Sequence, residues 1–90
     1  MDKVLTLADV MALHTIVTAT ITGAKVRWLT ESGDVLEGVA RSIGHEDSTF
    51  LRAGEDVRDG FLRVTVTMDY FLPVRDVMAM VKRGEFALDS

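Results

Sequence analysis

Val35-Leu36-Glu37-Gly38-Val39-Ala40-Arg41-Ser42-Ile43 admits two readings, and the fold class turns on which one holds. Val35, Leu36, Val39, Ala40 and Ile43 share one face of a helix, with Asp34 and Glu37 as cap partners and Gly44 as the stop. Against this, Gly38 sits mid-segment, where glycine costs a helix about 1 kcal/mol relative to alanine. The segment is also entered through a tight turn, Glu31-Ser32-Gly33-Asp34, straight after an alternating stretch, which is how a hairpin is written. The strand reading is favoured, and it makes the protein α+β.

Outward from that stretch the period is mostly 2. Ala24, Val26 and Trp28 alternate with Lys25, Arg27 and Leu29, so Trp28 is expected to point inward with Val26. Ser48–Arg52 reads as a short strand, residues 53–60 as an acidic connector, and Leu62, Val64 and Val66 alternate with Arg63, Thr65 and Thr67 as the clearest strand. Met68-Asp69 is a turn, Tyr70–Leu72 a returning strand, and Pro73 its end. Residues 15–22 also look like a strand, because Val17, Ala19 and Ile21 alternate with Thr18, Thr20 and Thr22 and β-branched residues dominate.

Helices are expected at both ends. Thr6 and Asp9 have capping-box spacing, and Leu7, Val10, Met11 and His14 fall on one face of a short helix over 7–14. Val74, Val77, Met78 and Val81 recur at helical spacing, with Asp76 near the start, Lys82 and Arg83 near the end and Gly84 beyond. The expected architecture is one domain over 1–90: a small β-barrel or rolled antiparallel sheet flanked by an N-terminal and a C-terminal helix, with strand exceeding helix.

Two family resemblances attach to particular residues. Val26–Leu29, Ser32–Asp34, Leu36–Val39 and Thr49–Leu51 resemble the opening strands of small SH3-like and Sm-like barrels, and a preceding helix fits the Sm-like case. Leu5–Val10 followed by Val26–Gly33 is similar to the start of excisionase-type winged helix-turn-helix proteins, which implies DNA binding. That resemblance would place the recognition helix within Ile16–Ala24, a β-branched stretch containing Gly23.

Composition removes several functions. The chain has 90 residues, no cysteine and a net charge of −4, so disulfides, thiolate metal sites and cysteine nucleophiles are excluded, and no basic pole attracts phosphate. No stretch reaches the roughly 18 apolar residues of a membrane span, and Met1-Asp2-Lys3 does not open a signal peptide, so a cytoplasmic location is expected. Asparagine and glutamine are absent and arginine outnumbers lysine seven to three, which points to a GC-rich bacterial or phage source.

The residues that could carry chemistry are few. His14 lies on an apolar helical stripe and reads as a core or boundary residue. His45-Glu46-Asp47 reads as a solvated turn, because three consecutive side chains do not converge on one ion. Glu55, Asp56 and Asp59 lack the ligand ladder of a calcium loop. No catalytic residue, metal or cofactor is expected.

The chain is instead expected to be a non-enzymatic interaction module, a small accessory protein that binds a partner protein or forms a homo-oligomer. With 48% apolar residues, twelve of them valine, it has more apolar surface than a body this small readily covers. Leu29, Phe71 and Met80 are the expected contact residues, with the last helix as the main contributor. The alternative is a nucleic-acid face built from Lys25, Arg27 and Arg41.

Overall fold

The computed structural model describes residues 5–45, 54 and 56–89. The first element is helix α1 (Leu7–Thr22), twice the expected length. Thr6 caps it as the sequence implied: its hydroxyl accepts from the Asp9 amide while the Asp9 carboxylate accepts from the Thr6 amide. At the other end Gly23 adopts the left-handed conformation (φ 62°, ψ 38°), which lets its amide close on Ala19 and Thr20.

Residues 15–22 are therefore helix, not strand. Threonine hydroxyls settle into this helix by bonding back one turn, Thr15 to the Met11 carbonyl, Thr20 to Ile16 and Thr22 to Thr18. Burial decides the rest. Ala12, Ile16 and Ala19, spaced four and three apart, are all but fully buried against the rest of the protein. The Val17/Ala19/Ile21 alternation does not describe a face, since Ala19 is buried while Val17 and Ile21 are exposed.

Strands β1 (Lys25–Leu29) and β2 (Val35–Gly44) form the expected hairpin, so the 35–43 segment is a strand. After β2, a 3₁₀ turn (Val57–Asp59) leads into β3 (Phe61–Thr65), β4 (Asp69–Pro73), helix α2 (Val74–Arg83) and β5 (Phe86–Asp89). The expected strand at 48–52 lies outside the described residues. The fifth strand was not foreseen, and it makes α2 an internal crossover instead of a C-terminal flank. Among the described residues strand exceeds α-helix, as expected, but only narrowly, because residues 15–22 count as helix.

The five strands form one antiparallel sheet in the order β4-β3-β2-β1-β5. Strand β2 makes it curl. Its first half pairs with β1, its second half with β3, and Val39 pairs with both Lys25 and Thr65. Arg41 is an extra residue between the Ala40–Val64 and Ser42–Arg63 pairs, a bulge that bends the strand. The curl brings Trp28 on β1 edge-on to Tyr70 on β4, with ring centroids 6.0 Å apart, although two strands lie between. The sheet does not close into a barrel. Helix α2 packs against both β4 and β5, so the two end strands do not pair.

Both helices pack on the concave side. The core joins Ile16 of α1, Val26 and Trp28 of β1, Leu62 and Val64 of β3, Val74, Val77 and Met78 of α2 and Phe86 of β5. Trp28 thus points inward, as its parity with Val26 implied.

Candidate interaction surface

The expected contact residues do not form one surface. Met80 is buried against the core, where the inner side of α2 is wide enough to hide Val74, Val77, Met78 and Met80 together. Leu29 and Phe71 are exposed. Leu29 pairs with Val35 at one end of β2, whereas Phe71 lies opposite Arg63, which pairs with Ser42 near the other end. The apolar face of α2 is spent on the core, and its exposed side carries Arg75, Asp76, Lys82 and Arg83.

The apolar surplus sits on α1. Of the exposed large hydrophobic side chains among the described residues, Leu5, Leu7, Val10, Met11, Val17 and Ile21 all come from this one region. Leu7, at 75% exposed, and Ile21, at 78%, mark the two ends of a stripe diametrically opposite Ala12, Ile16 and Ala19. His14 lies at the centre of that stripe and is exposed, so the face expected to be inward (Leu7, Val10, Met11, His14) is the outward one. The sequence held one overlooked signal: the capping box at Thr6 and the helix-ending Gly23 frame a single helix, within which Ala12-x3-Ile16-x2-Ala19 is the packing face. Beside the stripe, Met11 and Val10 join Ala8, Thr15 and Val81 of α2 in a shallow apolar groove.

Electrostatics at the start of α1 fix its seat. Lys82 of α2 donates to the Asp9 carboxylate, and this bond, helped by the Thr6 amide, holds the Asp9 pKa down at about 2. Between Asp9 and Lys25 the only ionisable residue is His14.

A second concavity opens where the sheet fails to close. This cleft of about 490 Å³ has Trp28, Tyr70, Leu72 and Met80 in its walls and Glu31, Asp76, Arg83 and Glu85 at its rim. Leu29 and Met80 both line it, and Phe71 does not. Arg83, at the end of α2, is held by Glu85 two residues further on at 2.9 Å.

Lys25, Arg27 and Arg41 do share the convex face of the sheet, and all three are exposed. They are interleaved with acids and hydroxyls. Arg27 faces Glu37 at 3.9 Å, Lys25 pairs across the strands with Asp89, and Arg41 donates to the Thr65 hydroxyl, which itself donates to Asp69. Arg63, on the same face, is bound to Asp69, whose pKa is lowered by the Thr65 hydroxyl and Arg63. Trp28 is buried on the opposite side, so this face offers no indole on which a base could stack. So balanced a face is expected to bind nucleic acid no tighter than roughly 10⁻⁶ M at physiological salt. A gel shift at submicromolar protein that disappears in an Arg27→Ala/Arg41→Ala variant would instead make it a nucleic-acid interface.

Helix α1 runs unbroken, without the turn that would divide it into a helix-turn-helix. Among the described residues no group of three His, Cys, Asp or Glu side chains is placed to hold a metal ion, and no helix is long and apolar enough to cross a membrane. His45 follows the end of β2 and is exposed, while Glu46 and Asp47 lie outside the described residues. The acidic connector spends Asp56 on Arg58 and Asp59 on Arg75. No protein-family model, curated protein or solved structure matches the chain.

Proposed function

We propose that the protein is a non-enzymatic interaction module that acts in the cytoplasm by covering an apolar face of another polypeptide with the outer stripe of α1. The observation that carries this reading is the two-sidedness of α1. A helix that buries one face and exposes Leu7, Val10, Met11, Val17 and Ile21 on the other has more apolar surface than an isolated small domain needs, and contiguous patches of this kind mark contact sites. The strand order, with the last strand returning beside the first, supports a variant of the small SH3-like and Sm-like architecture in which α2 props the sheet open.

A photo-reactive side chain at Ile21, with a control probe at Glu31 on the far loop, tests the reading in the producing cell. Protein adducts are expected from Ile21 and not from Glu31. Adducts from neither position, or from Glu31 alone, would refute it.

A further inference from the structure

The outer stripe of α1 is nearly symmetric about His14. Counting equal steps in both directions from that residue, Met11 matches Val17, Val10 matches Thr18, and Leu7 matches Ile21. A stripe with this symmetry is complementary to itself when a second helix lies across it in the opposite direction. From this we infer that the occupant of the α1 face is a second copy of the same chain, held in a two-fold antiparallel helix pair with His14 at the axis. The inference rests on the interaction-module reading above and names its partner.

In that pair Leu7 packs against Ile21 of the second copy, Met11 against Val17 and Val10 against Thr18, and the same contacts repeat on the other side of the axis, as an isologous contact requires. The spacing fits. Leu7, Val10, His14, Val17 and Ile21 alternate steps of three and four, the period of a helix–helix seam. Charge fits as well. The whole molecule carries −4 and two copies would repel, yet this face has no carboxylate or ammonium between Asp9 and Lys25, and Asp9 is already bound to Lys82. The two helix dipoles oppose one another in the antiparallel arrangement.

Area sets the strength. The 16-residue helix is about 24 Å long. Covering its five apolar side chains in both copies buries on the order of 1,000 Å², below the roughly 1,200–2,000 Å² of stable interfaces and in the class of weak, reversible ones. The groove toward Val81 adds to this. A reversible dimer with Kd on the order of 10–100 µM is expected.

Sedimentation equilibrium from 10 µM to 1 mM tests the inference with two variants. Leu7→Glu places an acid in the first turn of α1 and Ile21→Lys places a base in the last, both at exposed positions and both suited to the helix dipole, so the monomer fold is retained. The wild type is expected to pass from monomer to dimer across this range, and each variant alone to lose at least tenfold in association. An equimolar mixture of the two is expected to recover it, because antiparallel packing sets the introduced carboxylate of one against the introduced ammonium of the other while the second Leu7–Ile21 layer stays intact. A wild type that is monomeric at 1 mM, variants that dimerise like wild type, or a mixture without recovery would each overturn the antiparallel pair. The Ile21 photo-probe separates the two levels. An adduct with a different protein beside a monomeric wild type removes this inference and leaves the module reading standing, and no adduct at all removes both.

Discussion

Gly38→Ala is expected to lower stability by about 3 kcal/mol, at the upper end of what overpacking costs, and the thermal midpoint of a domain this size by ~15 °C. The reason is the bend in β2. A Cβ at Gly38 would lie 2.6 Å from the Thr65 carbonyl oxygen and 2.8 Å from the Val64 Cγ1, with the Thr65 carbonyl carbon at 3.0 Å. Two of these three neighbours are backbone, so no side chain can swing aside to make room. Gly38 is also hemmed in from the other direction by its pairing with Val26. In an ordinary open strand the same change would gain a little by restricting the unfolded chain. Thermal and urea melts of the two proteins therefore differ in sign as well as size, and an unchanged or raised midpoint would mean that β3 does not cross over Gly38.

Ile16→Ala is expected to cost about 3–4 kcal/mol, whereas Ile21→Ala on the same helix should change stability by no more than about 0.5 kcal/mol. Ile16 is 0% exposed and fills the space beneath the curled sheet, so its truncation leaves a cavity lined by side chains that cannot all close on it. Ile21 is 78% exposed and loses little but solvent contact. The pair also separates the two readings of residues 15–22. A strand would place Ile21 on the buried face with Val17 and Ala19 and leave Ile16 on the threonine face, which reverses the order of the two effects. Urea melts of both variants, compared at equal m-value, settle it.

The sequence and the structure agree where local chemistry had no competitor. The capping box at Thr6 and Asp9, the turn at 31–34, the inward parity of Val26 and Trp28 and the α2 stripe needed no knowledge of neighbours. Residues 15–22 failed because β propensity is a preference for half-buried sheet surfaces, and here Ile16 and Ala19 find a better burial as part of a helix. Strand β5 was invisible because Phe86-Ala87-Leu88-Asp89 is too short to display a period and is organised by its pairing with β1, some 60 residues away. The site shifted for a related reason. Which face of α1 is outward depends on what lies beneath it, and both faces are apolar, so the periodicity that revealed the helix could not orient it.

The β1–β5 pairing also orders events during folding. Both hairpins, β1–β2 and β3–β4, close across short loops, but Trp28 meets Phe86 only after the roughly 60 residues between them are available. Contacts of such separation form late because loop-closure entropy must be overcome first. On a translating ribosome the outer edge of β1 thus stays uncovered until the last strand emerges from the exit tunnel. In that interval Lys25 and Arg27, which flank the bare edge, are the charges that discourage a neighbouring nascent chain from pairing there.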